Sequence, residues 1–310
     1  MAQYLIIPKK LARAAPFIGR TAQRLEGWAI GFLFWLLNQL SPELATRLSG
    51  VAFRLTSGLS DKAQKADQNL AVAFPERDAQ WRARTVKQIF HSLGVASAEL
   101  VKLQQIWEER EQRLRFELAP GVEQAIKNGQ PIVFVTAHVG AWQLTNLISL
   151  HRELSISTVY AAESNLALRD IMIRLRQSFG VKLIPSEAGA RPLMKELAAG
   201  NCIGLAMDTR LKSGTLLPFF GRDALCNTTP ARLALRSGAA LVPIRAEREP
   251  GCRYRITAFE PLHCDNDELS ADQRAEELTR QINSHFESWI QDTPGEWICL
   301  KRRWPKAHRL

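Results

Sequence analysis

His138 is the residue from which chemistry can be built. It follows directly on Pro131-Ile-Val-Phe-Val-Thr-Ala137, an apolar run of buried-strand type, and Gly140 permits a tight turn into the next segment. In open α/β sheets ligands gather at the carboxyl ends of strands, so an imidazole placed there is a candidate general base. A turn of this kind brings Gln143 back beside the ring, the geometry of a base and its orienting partner. His91, His151 and His285 fall in helical stretches among polar neighbours and read as surface or packing residues. Competing chemistry has no signature: there is no G-x-S-x-G elbow, no G-x-G-x-x-G fingerprint and no phosphate loop ending in Lys-Ser/Thr.

The elements that must position His138 follow from hydrophobic periodicity. From Pro42 to about Leu114 apolar residues recur three and four apart, with breaks at Ser57-Gly58 and Pro75, which predicts helices and no strand. Afterwards the period changes. Strands are expected at 131–137, 156–161, 181–184, 202–207, 240–246 and 253–259, alternating with helices at 141–152, 168–179, 191–199 and 229–237, and a long amphipathic helix at 271–291. Such alternation implies an α/β fold with a mainly parallel central sheet flanked by helices.

Composition narrows the partners. The 46% apolar and 23% charged content of 310 residues is that of a folding chain. Forty-one Lys and Arg against 31 Asp and Glu leave a formal charge of +10, which favours phosphates or an anionic lipid surface. Nucleic acid is not an expected partner, because no paired Cys/His finger, heptad zipper or RNP-like run is present. Cys202, Cys226, Cys252, Cys264 and Cys299 are widely spaced and lack the close pairs that zinc and redox sites use, so no metal and no cofactor is expected.

Lys9, Lys10, Arg13, Arg20 and Arg24 precede the apolar stretch 27–37. Crossing a bilayer takes about 20 apolar residues, so this shorter stretch is expected to lie in one leaflet, with Trp28 and Trp35 at the interface and the basic flank on the cytoplasmic side; a buried core helix is the plain structural alternative. Residues 1–42 are thus read as a helical membrane-attachment segment and 43–310 as the main domain, helical over 43–114 and α/β over 115–310. The mixture of charge and aromatic at Lys301-Arg302-Arg303-Trp304-Pro305-Lys306 suits a headgroup surface.

The segment from His138 to Gln143 resembles the late acyltransferases of lipid A biosynthesis, members of the lysophospholipid acyltransferase superfamily, whose hallmark is His, four residues, then Asp or Glu. Other blocks agree in order. Asn69-Leu70 to Phe74-Pro75-Glu76 is similar to the family's Asn-Leu…Phe-Pro-Glu segment, Leu217-Pro218-Phe219-Phe220-Gly221 with Thr228-Thr229 and residues 233–239 to its Pro-Phe-Phe-Gly block, and Pro294-Gly295-Glu296-Trp297 to Lys301-Arg302-Arg303-Trp304 to its C-terminal end. The resemblance covers roughly residues 25 to 305. It implies an enzyme at the cytoplasmic face of the inner membrane that moves an acyl chain from acyl carrier protein to a hydroxyl of a lipid A precursor or related glycolipid. By the same resemblance Asp208, after the strand Gly204-Leu-Ala-Met207, matches a functional aspartate, and Arg176 matches an arginine before the third strand. Capping of a turn and a solvated helix position are the plain structural readings of the two.

Arg169, Arg174, Arg176, Arg210, Lys212 and Arg222 follow the strands. Around one mouth they would hold acceptor phosphates or the acidic carrier, Arg176 and Arg210 first. Arg176, Arg210 and Asp208 form the expected substrate-binding set, beside the catalytic pair His138 and Gln143, while solvated surface charge is the plain reading of most of the other basic residues.

Gln143 is where the chain departs from the family pattern, since a neutral amide stands at the carboxylate position. Three readings stay open: an inactivating Glu-to-Gln change, a weakened or divergent enzyme, or a different carboxylate in the role. A lipid-binding or scaffold protein of the same fold, without chemistry, is the alternative from another class.

Overall fold

The computed structural model describes residues 16–59, 61–161, 166–266 and 268–304. Lys9, Lys10, Arg13, Pro305 and Lys306, which entered the membrane reading, lie outside the described residues. Helices of eight residues or more are numbered in chain order.

Among the described residues the first long helices are α1 (Pro16–Asn38), α2 (Pro42–Leu55), α3 (Asp61–Ala73) and α4 (Ala79–Val101). Ser41 caps α2 by accepting the Leu44 N–H, and Asp78 caps α4 by accepting that of Trp81. Small residues let α2 lie close on α4. A Cβ on Gly94 would stand 2.4 Å from the Ser49 carbonyl oxygen, and the Ser49 hydroxyl donates to the Gly94 carbonyl at 2.7 Å. Ala45, Ser49 and Gly50 are thereby buried, while the larger Leu44, Leu48, Val51 and Leu55 face outward.

The α/β part follows at once. Strands β1 (Leu114–Leu118), β2 (Ile132–Thr136), β3 (Ile156–Tyr160), β4 (Lys182–Pro185), β5 (Cys202–Ala206), β8 (Ala240–Glu249) and β9 (Arg253–Ala258) form a seven-stranded sheet in the order β1-β9-β8-β2-β5-β3-β4. Every pairing is parallel except β8 with β9, as a mainly parallel sheet demands. Helices α5 (Pro120–Lys127), α6 (Leu166–Gln177), α7 (Ala190–Ala198), α8 (Thr229–Ser237) and α9 (Ala271–Asp292) accompany it. β2 is buried along its whole length. Its alternate residues serve two cores: Val133 and Val135 pack with α3, α4 and α9, and Ile132 and Phe134 pack with residues of β8, β9 and the 141–148 segment.

Besides α5, which lies outside the expected elements, three features differ from the sequence expectation. β1 begins where the helical period ends; Arg115 and Glu117 interrupt its apolar residues, leaving an edge strand with little periodic signal. The helix expected at 141–152 is a 3₁₀ segment, Trp142–Leu147, followed by one short turn, Ile148–His151. Side-chain bonds three residues back, Thr145 to the Trp142 carbonyl and Asn146 to that of Gln143, accompany the tighter winding. A separate hairpin, β6 (Thr215–Phe219) and β7 (Arg222–Cys226), turns through Phe220 and Gly221 with φ of 52° and 64°. Two positive φ values are what a two-residue type I′ turn needs. Gly221 adopts one freely, and Phe220 is held in the other by packing on Phe74 and Trp297.

Candidate active site

β2 and β5 are parallel neighbours with Thr136 opposite Ala206. Two residues past each partner come His138 and Asp208, so the register itself brings imidazole and carboxylate together at the carboxyl edge of the sheet. His138 Nδ1 lies 2.6 Å from Asp208 Oδ1, which also accepts the His138 backbone N–H at 3.1 Å. The Trp297 indole N–H donates to the other oxygen, Oδ2, at 3.0 Å.

Asp208 is 3% exposed. Burial alone would push its carboxyl up, but the charge and hydrogen bonds of His138, with the indole N–H, outweigh that and hold it below the ordinary carboxylate value. An ionised carboxylate only accepts, so Nδ1 donates to it, and whenever the ring is neutral Nε2 keeps the lone pair. The imidazole side chain keeps 29% exposure. Geometry and tautomer are those of a general base with an acidic orienter.

The turn after His138 depends on Gly140. Its φ is 61°, and a Cβ there would stand 2.6 Å from the Ala246 carbonyl oxygen. That oxygen accepts the Ala141 N–H at 3.0 Å, so loop and β8 are joined where no larger residue fits.

Gln143 does not occupy the place the turn was expected to give it. Its amide donates to the Ala96 carbonyl of α4 at 3.3 Å, and the bond to Nδ1 belongs to Asp208. Asp208 accepts from His138 through Oδ1 and from Trp297 through Oδ2, and it also lines the larger of the two cavities beside His138. The carboxylate that faces the imidazole is that of Asp208.

Two adjoining cavities contain His138. One, of about 200 Å³, is lined by residues of the 3₁₀ segment, by the apolar Phe134, Ile148, Ile156, Phe179 and Val181, and by Gln143 and Arg176. The other, of about 510 Å³, is lined by Asp208 and Trp297 and carries the cations Lys62, Arg210, Lys301 and Arg303. Arg176 and Arg210 thus reach the site from different sides, with the Arg176 guanidinium 5.9 Å from the centre of the Tyr160 ring. Arg174, Lys212 and Arg222 are exposed, and Arg169 pairs with its neighbour Asp170. Sequence reasoning missed Lys62 and the part played by Trp297, although Trp297 stood in the quoted Pro-Gly-Glu-Trp block.

The ordered sequence blocks converge behind the site. Asn69 donates to the Cys299 and Lys301 carbonyls, each at 2.8 Å, and accepts the Arg303 N–H at 3.0 Å. Phe74 meets Phe220, and Phe219 meets both Trp297 and Trp304. These residues form an aromatic platform under the C-terminal segment.

Fold and site define an α/β protein with an acid-supported histidine at the carboxyl edge of its sheet, opening on an apolar slot and a cationic cavity. The chain belongs to the bacterial lipid A biosynthesis acyltransferase family, whose pattern matches residues 20–306. The lipid A biosynthesis lauroyltransferase of Escherichia coli K12 is 28% identical over 88% of this chain and 89% of its own length, and the palmitoleoyltransferase of the same organism 23% over 90% of each. A phosphatidylinositol mannoside acyltransferase of Mycobacterium tuberculosis is 25% identical over 59% of this chain. The matched stretch spans only 57% of that mycobacterial protein.

Proposed function

We propose that this chain transfers an acyl group from a carrier-protein thioester to a hydroxyl of a lipid A precursor or related glycolipid. The observation that carries the reading is the bond between the half-buried His138 ring and the buried Asp208 carboxylate, which leaves Nε2 facing the junction of an apolar slot and a cationic cavity. The acceptor oxygen attacks the thioester carbonyl as its proton passes to Nε2. Asp208 stabilises the imidazolium that forms without taking the proton itself. Collapse breaks the C–S bond, and the imidazolium returns its proton to the thiolate, leaving an ester and a free carrier thiol.

In this reading the apolar slot takes the acyl chain, and Arg176, Arg210, Lys62 and Lys301 face phosphates of acceptor or carrier. Gln143 has no charge to offer and shapes the wall. The net charge of +10 suits an acidic carrier and an anionic leaflet.

Attachment to the cytoplasmic face of the inner membrane belongs to the same proposal. No described helix is long and apolar enough to cross a membrane. On α1, Trp28 is 80% exposed, and Leu25, Phe32, Leu33, Trp35 and Leu36 are also exposed; on α2, Leu55 is 77% exposed beside Leu44, Leu48 and Val51. Apolar side chains of this size facing out from two neighbouring helices, with Arg24, Arg47 and Arg54 among them, suit shallow insertion among anionic headgroups. Double substitution of Leu48 and Val51 by Glu is expected to lower co-flotation with vesicles containing phosphatidylglycerol while leaving the fold unchanged by circular dichroism.

The deciding experiment is transfer of labelled acyl chains from acyl carrier protein to lipid A precursor and, in parallel, to phosphatidylinositol mannoside. Wild-type transfer that His138→Ala abolishes supports the reading. Undiminished turnover in His138→Ala removes the mechanism. Absence of transfer to both acceptors by a protein that still binds them would favour a non-catalytic lipid-binding role.

A further inference from the structure

The segment 294–299 contributes no titratable group to the reacting atoms, yet it is bound to them at several points. Its Trp297 is 1% exposed and gives its indole N–H to Asp208 Oδ2. The Ile298 N–H donates to the His138 carbonyl at 2.8 Å, and Val139 pairs with Trp297 across an isolated antiparallel bridge. One short stretch thus grips the His138 loop through its backbone and the Asp208 carboxylate through a side chain.

The segment is itself fastened from outside the site. Arg248 of β8, enclosed by protein, makes a two-pronged pair with Glu99 of α4 at 2.7 and 2.9 Å, reaches Ser92 at 2.8 Å and holds Glu296 at 3.2 Å. Burial works against the Arg248 charge, but Glu99 and Glu296 outweigh it, so the guanidinium stays protonated. On the other side of Trp297 lie Phe219, Phe220 and Trp304, with ring centres 6.2, 6.3 and 6.3 Å away. The indole therefore cannot turn without breaking the platform, and its N–H is aimed before any substrate arrives.

We propose that Trp297 is a positioning residue of the dyad: its indole N–H fixes one oxygen of Asp208 so that the other stands square to the His138 Nδ1. The inference rests on the acyl-transfer reading only for its kinetic readout. A carboxylate with one fixed oxygen has one orientation, whereas a carboxylate without that donor can rotate and leave the imidazole tautomer unset.

Two nearby indoles make the test internal. Trp304 is 2% exposed and its N–H has no hydrogen-bond partner among the described residues. Trp297→Phe and Trp304→Phe therefore trim the same platform, and only the first removes a hydrogen bond to the dyad. The expected result is a kcat lowered roughly ten- to hundredfold in Trp297→Phe, the effect of one hydrogen bond to a charged group, with KM for donor and acceptor unchanged and Trp304→Phe near wild type. Equal losses in both variants would overturn the proposal, as would an unchanged kcat in Trp297→Phe.

If Trp297→Phe does not fold, benzothienylalanine at 297 keeps the ring shape without the donor and is expected to show the same loss. Proton NMR of protein with ¹⁵N-labelled histidine separates this inference from the activity itself. The wild type should show a low-field His138 ring N–H resonance that Asp208→Asn abolishes and that moves upfield in the Trp297 variant, whether or not any acyl acceptor is turned over. A resonance unmoved by loss of the indole donor would overturn the proposal while leaving the acyl-transfer reading standing.

Discussion

The two sides of His138 are built on different principles. On one side Asp208, Trp297 and the backbone of the His138 loop form a closed chain of hydrogen bonds that ends in a buried charge. Across the ring Gln143, Asn146 and Thr158 bond to the Ala96 carbonyl and to one another, and they border an apolar slot. In the proposed reading the first side governs protons and the second governs shape. In that reading the imidazolium is stabilised by Asp208, two residues beyond β5, and the amide at 143 is free to hold the 3₁₀ segment against α4.

The most forceful way to break this contrast is Asp208→Asn. The amide keeps the shape but loses the charge, and its NH₂ can impose the wrong tautomer on the ring. By comparison with the equivalent change in a serine-protease triad, where the loss is about 10⁴, turnover should fall roughly 10³- to 10⁴-fold. Transfer rates measured at saturating donor and acceptor check it. A loss below tenfold would mean that Asp208 is a structural cap and that the two sides do not differ in kind.

How far such a division is visible in a sequence depends on what carries it. His138 was legible because the strongest strand of the chain ends just before it, and the parallel sheet was legible because strands and helices alternate in period. The Asp208 pairing was not, since it depends on the parallel register that sets Thr136 opposite Ala206, and no local pattern encodes which strands are neighbours. β1 and the 3₁₀ segment were missed for local reasons: charges interrupt the one, and polar side chains tighten the other. Trp297 could be quoted from its block, but its role lies in a contact with a residue 89 positions away.

A smaller effect is expected from Gln143→Glu, where the contrast makes an unusual prediction. Restoring the family's carboxylate should not raise activity. Glutamate at 143 cannot donate to the Ala96 carbonyl and would set a negative charge against that oxygen, which loosens the tie between the 3₁₀ segment and α4. A loss of about three- to tenfold is expected, the effect of one neutral hydrogen bond, and Gln143→Glu added to Asp208→Asn should recover nothing. A gain of tenfold in either background would show that the 143 side also governs protons.

The smallest change in rate, and the sharpest in specificity, should come from Gly204→Leu. Gly204 lies in β5 on the wall of the slot, and a Cβ there would meet Thr158 Oγ1 at 3.5 Å, Asn146 Oδ1 at 3.8 Å and Ile156 Cγ2 at 3.9 Å. Those are ordinary contacts, so a first carbon fits without strain and a longer side chain must extend into the space between Phe134, Ile156 and Phe179. In a close-packed interior a leucine side chain displaces roughly four carbons of ligand. With carriers bearing a mixture of chain lengths, mass spectrometry of the products should show the preferred chain shortened by about that number, while turnover of the shorter chain stays within about threefold of the wild type because Asp208 and Trp297 are untouched. An unchanged product distribution would place the acyl chain outside this slot and leave the Gln143 side without the shaping role that the contrast assigns to it.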